Sequence, residues 1–157
     1  LTIAYRPAEL EDAPFVVSMW SRGFKSSRSA GMIADKRWAR IMHPEIQEVL
    51  ARPDVQTIVA YENTQPSFLY GFITASPASS PQIVYFTSVK EAYRRAGYAR
   101  GLFAAMGIDP ASAFRYTCWT SVIPKLQRAI PFAKHVPEYA RIVGYVEPEP
   151  RSDRWKR

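Results

Sequence analysis

The sequence predicts an α/β domain in which a mixed, mostly antiparallel central sheet is flanked by helices. Three observations carry this. Residues 55–89 hold three runs rich in Val, Ile, Tyr, Phe and Thr, separated by turn-forming clusters. Ahead of them, apolar residues recur at helical spacing. After them, Ala99, Leu102, Phe103 and Met106 fall at i, i+3, i+4 and i+7 behind a short basic turn. The 157 residues are 47% hydrophobic and 13% aromatic. That is enough for one core without disulfides or a structural metal, and too much for a disordered chain.

The elements follow in order. Thr2 to Arg6 reads as a short strand. Asp12 offers an N-cap and Pro14 suits the first turn of a helix whose apolar face is Phe15, Val16, Met19 and Trp20, ending near Gly23. Residues 24–34 are Ser-rich and basic, a loop. Trp38, Ile41 and Met42 begin a second helical face, which Pro44 interrupts or restarts, with His43 as N-cap. Ile46, Val49 and Leu50 continue it toward Arg52.

The period then changes. Val55 to Tyr61, Phe68 to Thr74 and Gln82 to Val89 read as an antiparallel meander, joined by the turns Glu62-Asn63-Thr64-Gln65-Pro66 and Pro77 to Pro81. The helix through Met106 can end at Gly107. Phe114 to Thr120 reads as a strand, Ile123 to Ile130 as a short helix and Arg141 to Val146 as a last strand, with His135 in a proline-bounded loop. One domain therefore spans 1–147, and 148–157 reads as a mobile, basic, mixed-charge tail. Trp20, Trp38 and Trp119 are expected in the core, and Trp155 in the tail.

The only cysteine, Cys118, excludes an intrachain disulfide and reads as packing in a strand. Two distant histidines make no metal site. No apolar run approaches the roughly 20 residues of a membrane span, and Leu1-Thr2-Ile3-Ala4-Tyr5-Arg6-Pro7 lacks signal-peptide regions. A reduced, cytoplasmic setting fits these features.

The net charge is +7 and unevenly placed. Arg22, Lys25, Arg28, Lys36, Arg37 and Arg40 form one basic zone, and Lys90, Arg94, Arg95 and Arg100 another. Such zones suit a polyanion: a nucleotide cofactor, a nucleic acid or a membrane.

The most informative segment runs from Val84 to Ala99. A strand ends, a basic turn follows and a helix begins. A helix N-terminus presents free N–H groups and the positive end of its dipole, so it binds phosphate. Gly97 permits close approach or a positive φ. Ala99 keeps the next turn small, and the arginines add charge-assisted hydrogen bonds. A Walker loop is excluded because Gly-Lys-Ser/Thr is missing, and a dinucleotide fingerprint because only one glycine is present.

The order Arg94-x-x-Gly97-x-Ala99 resembles the (Gln/Arg)-x-x-Gly-x-(Gly/Ala) signature of the GNAT superfamily of acyl-CoA-dependent N-acyltransferases. The strand ending in Val89, Tyr93 just before the arginine and the amphipathic helix after it agree. So does the opening from Ile3 to Ala13, which resembles the family's first strand and helix entry. The resemblance implies a GNAT-like fold and acyl-CoA, acetyl-CoA first, as co-substrate. It implies that pantetheine lies along Phe86 to Val89, including Thr87 and Ser88, with an N–H near Val89 on the thioester carbonyl. It also implies a pyrophosphate cradled by Arg94, Arg95, Ala96, Gly97, Tyr98, Ala99 and Arg100.

The acid and base are open. Tyr85 and Thr87 share a face of the cofactor strand by period 2, and neither is the carboxylate some family members carry there. Tyr85, Tyr139 and Ser121, with Thr120 beside it, are the catalytic candidates. The amine acceptor is equally open, as is the choice between monomer and homodimer. The basic, Trp-rich form also resembles phage-encoded members, which include the DNA-modifying Mom protein of phage Mu. A nucleic-acid-modifying enzyme, or a nucleic-acid-binding module without catalysis, is therefore the alternative; a purely structural use of the loop is the third.

Overall fold

The computed structural model describes residues 2–25, 35–116 and 133–135. Strand β1 (Ile3–Pro7) leads through a 3-10 turn (Leu10–Asp12) into helix α1 (Ala13–Lys25), and α2 (Asp35–Leu50) follows. Three long strands come next: β2 (Gln56–Glu62), β3 (Gln65–Ser76) and β4 (Ile83–Val89). A second 3-10 turn (Glu91–Tyr93) precedes α3 (Tyr98–Met106), and β5 (Phe114–Tyr116) and β6 (Ala133–His135) complete the order. The sheet runs β1-β2-β3-β4-β5-β6, antiparallel through β4 and parallel for the last two pairings. The expected mixed, mostly antiparallel sheet between helices is what forms.

The layers explain the sequence pattern. On one face, α1 and α2 bury Val16, Trp20, Ile46 and Val49 against Val59, Phe72 and Phe86. On the other, α3 buries Leu102, Phe103 and Met106 against Ile58, Ile73 and Val89. A strand covered on both faces reads as a continuous apolar run. Leu69 to Ser76 in β3 is buried throughout. Gly107, at φ 75°, closes α3 with its N–H on the Ala104 carbonyl, as its place in the sequence suggests.

Several local expectations are corrected. Asp12 is buried in the 3-10 turn, where it accepts from the Glu9 N–H at 2.8 Å and from both terminal nitrogens of Arg6. It ties β1 to the turn instead of capping α1. Pro44 neither interrupts nor restarts α2: the helix runs through it, and the ring is exposed while Met42, Ile46 and Val49 are buried. His43 is thus an interior helical residue, not an N-cap. Glu62 is the buried last residue of β2, not part of the turn. His135 lies in strand β6, not a loop. The rest of the expected strand to Thr120, the helix over 123–130, the strand over 141–146 and the tail lie outside the described residues.

Candidate functional site

The site begins where β4 leaves the sheet. The β3–β4 register pairs Phe72 with Ser88 and Gly71 with Val89, and the Lys90 N–H donates to the Tyr70 carbonyl at 2.8 Å. In an antiparallel ladder, backbone groups turn alternately toward and away from the partner strand. Lys90 and Ser88 therefore face β3, and Val89 faces away. The Val89 carbonyl on that outer edge accepts from Arg94 Nε at 3.1 Å. The Val89 N–H points to the same edge, where β5 pairs only with Ile83 and Val84 among the described residues.

The loop follows directly. After the 3-10 turn, Arg94 is extended, Arg95 takes a left-handed φ of 67° and Gly97 one of 84°. Left-handed residues in such a turn aim successive N–H groups to one side, forming an anion-binding concavity. Gly97 is the N-cap of α3 and has no side chain to satisfy the first-turn N–H groups. A Cβ built on Gly97 would meet nothing within 4 Å, so the space beside its backbone is open. Arg94, Arg95, Ala96, Gly97, Ala99 and Arg100 are all exposed, and Tyr98 is half-buried. With Lys90, the arginines make this end of the sheet basic.

An aromatic cluster holds the loop from below. Tyr70 is buried in β3 with its ring centroid 4.8 Å from Tyr93, 5.1 Å from Tyr98 and 5.2 Å from Phe68. Its hydroxyl donates to Glu62 Oε2 at 2.6 Å. The other carboxylate oxygen, Oε1, accepts from the Thr2 N–H at 3.2 Å and from the N–H and hydroxyl of Thr64. The Tyr70 hydrogen bond, helped by those backbone donors, holds the Glu62 carboxyl down at about 2. The same bond, with burial, pushes the Tyr70 phenol up to about 12. Lys90 Nζ lies 4.3 Å from the Phe68 centroid and 5.4 Å from that of Phe15, joining α1 to this end of the sheet. In the sequence, Glu62 has the form of a turn acid and Tyr70 that of one more aromatic in a strand, so neither is marked out there.

The remaining predicted residues are placed as follows. Tyr85 and Thr87 do not share a face. A bulge sits opposite Thr74 and Ala75, so that Tyr85 joins Phe86 in the core under α1 and α2. There the Arg52 guanidinium lies 6.0 Å from its ring centroid. Thr87 pairs with Ile73, which packs on the α3 side, and donates its hydroxyl to the Phe72 carbonyl at 3.1 Å. Ser88 uses its backbone on β3, and its side chain falls on the α1 side with that of Phe72. Arg22 and Arg40 are exposed. Lys25 ends α1, and Lys36 and Arg37 stand in the first turn of α2. Arg28, Cys118, Trp119, Thr120, Ser121, Tyr139 and Trp155 lie outside the described residues.

No family model and no curated protein sequence matches the chain. Solved structures do. An assigned acetyl transferase from Pyrococcus furiosus superposes with a TM-score of 0.56 at 14% identity, covering 98% of this chain and 89% of that one. PaiA N-acetyltransferase from Thermoplasma acidophilum, solved with coenzyme A, gives 0.52 at 17% identity over 68% and 70%. An assigned GNAT-family acetyltransferase from Staphylococcus aureus gives 0.50 at 14% over 65% and 86%. The match to a GNAT-family protein of Desulfovibrio desulfuricans, at 20% identity and a TM-score of 0.43, spans 62% of that protein's length. The likeness is one of fold, shared with the Pyrococcus, Thermoplasma and Staphylococcus structures. More narrowly, the chain has the GNAT fold. Among the described residues, no helix is long and apolar enough to cross a membrane.

Proposed function

We propose that this protein is an N-acyltransferase that moves an acyl group, acetyl in the first instance, from acyl-CoA to an amine by direct attack. One observation carries the reading. The outward-facing Val89 N–H and the uncapped N-terminus of α3 stand at the two ends of one basic loop with left-handed turns at Arg95 and Gly97. That pairs a donor for a thioester oxygen with a cradle for a diphosphate. The coenzyme A complex of the Thermoplasma protein supports the same donor class.

In this mechanism the amine nitrogen forms a bond to the thioester carbonyl carbon. The carbonyl π electrons move to oxygen, where the Val89 N–H stabilises the developing charge. The tetrahedral adduct then expels the CoA thiolate. The nitrogen's extra proton passes to a base, directly or through water, and an acid protonates the sulfur. We assign these proton steps to the set Tyr85, Ser121 and Tyr139. The bulge that carries Tyr85 to the α1 side makes a water-mediated path the only one we assign to it. The diphosphate goes to the amides of Arg95 to Arg100 and to the side chains of Arg94, Arg95 and Arg100. The basic zone at Arg22, Lys25, Arg28, Lys36, Arg37 and Arg40 supports including nucleic acids among the acceptors.

The test is release of free CoA thiol from acetyl-CoA in the presence of small amines, peptides with free N-termini or lysines, and DNA or RNA. We expect saturable, amine-dependent release with at least one class. Thiol release from none, together with no mass gain on any acceptor, contradicts the reading.

A further inference from the structure

Among the described residues, the loop from Arg94 to Gly97 is lightly held: all four residues are exposed, the Arg94 N–H donates to the Glu91 carbonyl, Arg94 Nε donates to the Val89 carbonyl, and the Gly97 carbonyl accepts from the Gly101 N–H. Its place is inherited from Tyr93 before it and Tyr98 after it. Both rings rest on one ring, Tyr70, edge-on at 78° for Tyr93 and tilted at 53° for Tyr98. Phe68 closes the group, with its centroid 6.0 Å from that of Tyr93.

Tyr70 is itself held by an unusual arrangement. The β2–β3 register steps from Gly71 opposite Ala60 to Leu69 opposite Tyr61, so Tyr70 is the extra residue of a bulge. A bulge re-aims the side chain it carries. On the other edge of β3, the Tyr70 carbonyl accepts from Lys90, the first residue beyond β4, and continues the β3–β4 ladder. The buried hydroxyl needs an acceptor, and Glu62 supplies it. Among the described residues, four donors converge on that carboxylate, and no cation is among them. A carboxylate has acceptor capacity for all four, whereas an amide has one oxygen and adds two donors.

We propose that the Glu62–Tyr70 hydrogen bond is a positioning device for the diphosphate loop, fixing the one ring on which both ends of the loop rest. Glu62 and Tyr70 are positioning residues: they act through the loop, and neither is assigned a contact with the reacting atoms. The inference rests on reading this loop as a diphosphate site, and its reach is specific. Loosening the pair affects donors that carry a diphosphate and spares those that lack one.

The test uses Glu62→Gln and Tyr70→Phe, both near-isosteric, in the full chain. Three quantities are read: hydrogen exchange at residues 91–100 against the β2–β3 amides, binding of CoA, and kinetics with acetyl-CoA against S-acetyl-pantetheine. Each variant should speed exchange in the loop alone and raise the Kd for CoA and the KM for acetyl-CoA about tenfold. The kcat with acetyl-CoA, and kcat/KM for S-acetyl-pantetheine, should stay at the wild-type value. The double variant should be no worse than either single one, because both remove the same bond. Unchanged loop exchange with unchanged CoA affinity overturns the proposal. Exchange that rises equally across β2, β3 and α3 also overturns it, because the pair is then a general brace. Wild-type protein that binds no CoA, with faster exchange confined to the loop in both variants, sinks the acyl-CoA reading and leaves the positioning role standing.

Discussion

Replacing Trp20 with alanine should destabilise the fold by about 3–5 kcal/mol, the usual cost of emptying a large aromatic site in a packed core. The side chain is fully buried between α1 and the sheet. Its ring stacks on Phe86, with centroids 5.5 Å apart and planes 10° apart, and lies 6.4 Å from Phe72. Gly23 lies beside the same stack, because a Cβ there would stand 2.6 Å from Phe86 Cζ. The helix is thus seated on β4 by close contact, and little can relax into the hole. The urea midpoint should fall with the slope unchanged. Trp20→Phe should lose far less, because Nε1 has no hydrogen-bond partner among the described residues. A loss below about 1 kcal/mol for the alanine variant would mean that α1 is not held as described.

The second large effect is expected at Gly71, and it reaches function. A Cβ at this position would lie 2.9 Å from Val89 Cα, closer than real side chains come to backbone. Gly71 and Val89 are opposite each other in a non-hydrogen-bonded pair, where the strands approach most closely. Gly71→Val must push the end of β4 outward or break its last pairing with β3. Forced overpacking of this kind costs about 1–3 kcal/mol, sometimes more. It also displaces the Val89 N–H and the start of the loop. We therefore expect a lower melting temperature together with loss of CoA binding, and Gly71→Ala should change both in the same direction by less. Full CoA affinity in Gly71→Val would show that the end of β4 is not part of the binding site.

Much of this site is legible in the sequence. Gly97 is followed by an apolar stripe at helical period and preceded by a β-branched run, so a strand–loop–helix unit can be read directly, with a glycine that serves either close approach or a positive φ. The structure places Gly97 at φ 84° as the N-cap of α3. The meander is legible for the same reason: turn-forming clusters separate its apolar runs. The bulges are not. Period-2 reasoning puts Tyr85 with Thr87, but one extra residue opposite Thr74 and Ala75 turns it to the other face. No local signal marks that insertion, since it is set by how β3 and β4 accommodate one another. Glu62 fails for a related reason. An acid before Asn-Thr looks like turn chemistry, and only the fold brings the Thr2 N–H and the Tyr70 hydroxyl onto its carboxylate. Pro44 misled in the opposite direction. A helix tolerates it where both flanking turns are anchored, here by Met42, Ile46 and Val49.

The central claim is that the loop at Gly97 holds the diphosphate of an acyl-CoA. It is tested most directly by calorimetric titration of CoA into the wild-type protein, Gly97→Asn and Gly97→Glu. Asparagine tolerates a left-handed backbone and brings no charge, and the space at this position is open. Glutamate brings a negative charge to the mouth of the helix. Wild type should bind at micromolar Kd, Gly97→Asn should bind within about tenfold of it, and Gly97→Glu should fold but lose binding. Equal affinity in all three proteins, or no binding by the wild type, would contradict the claim.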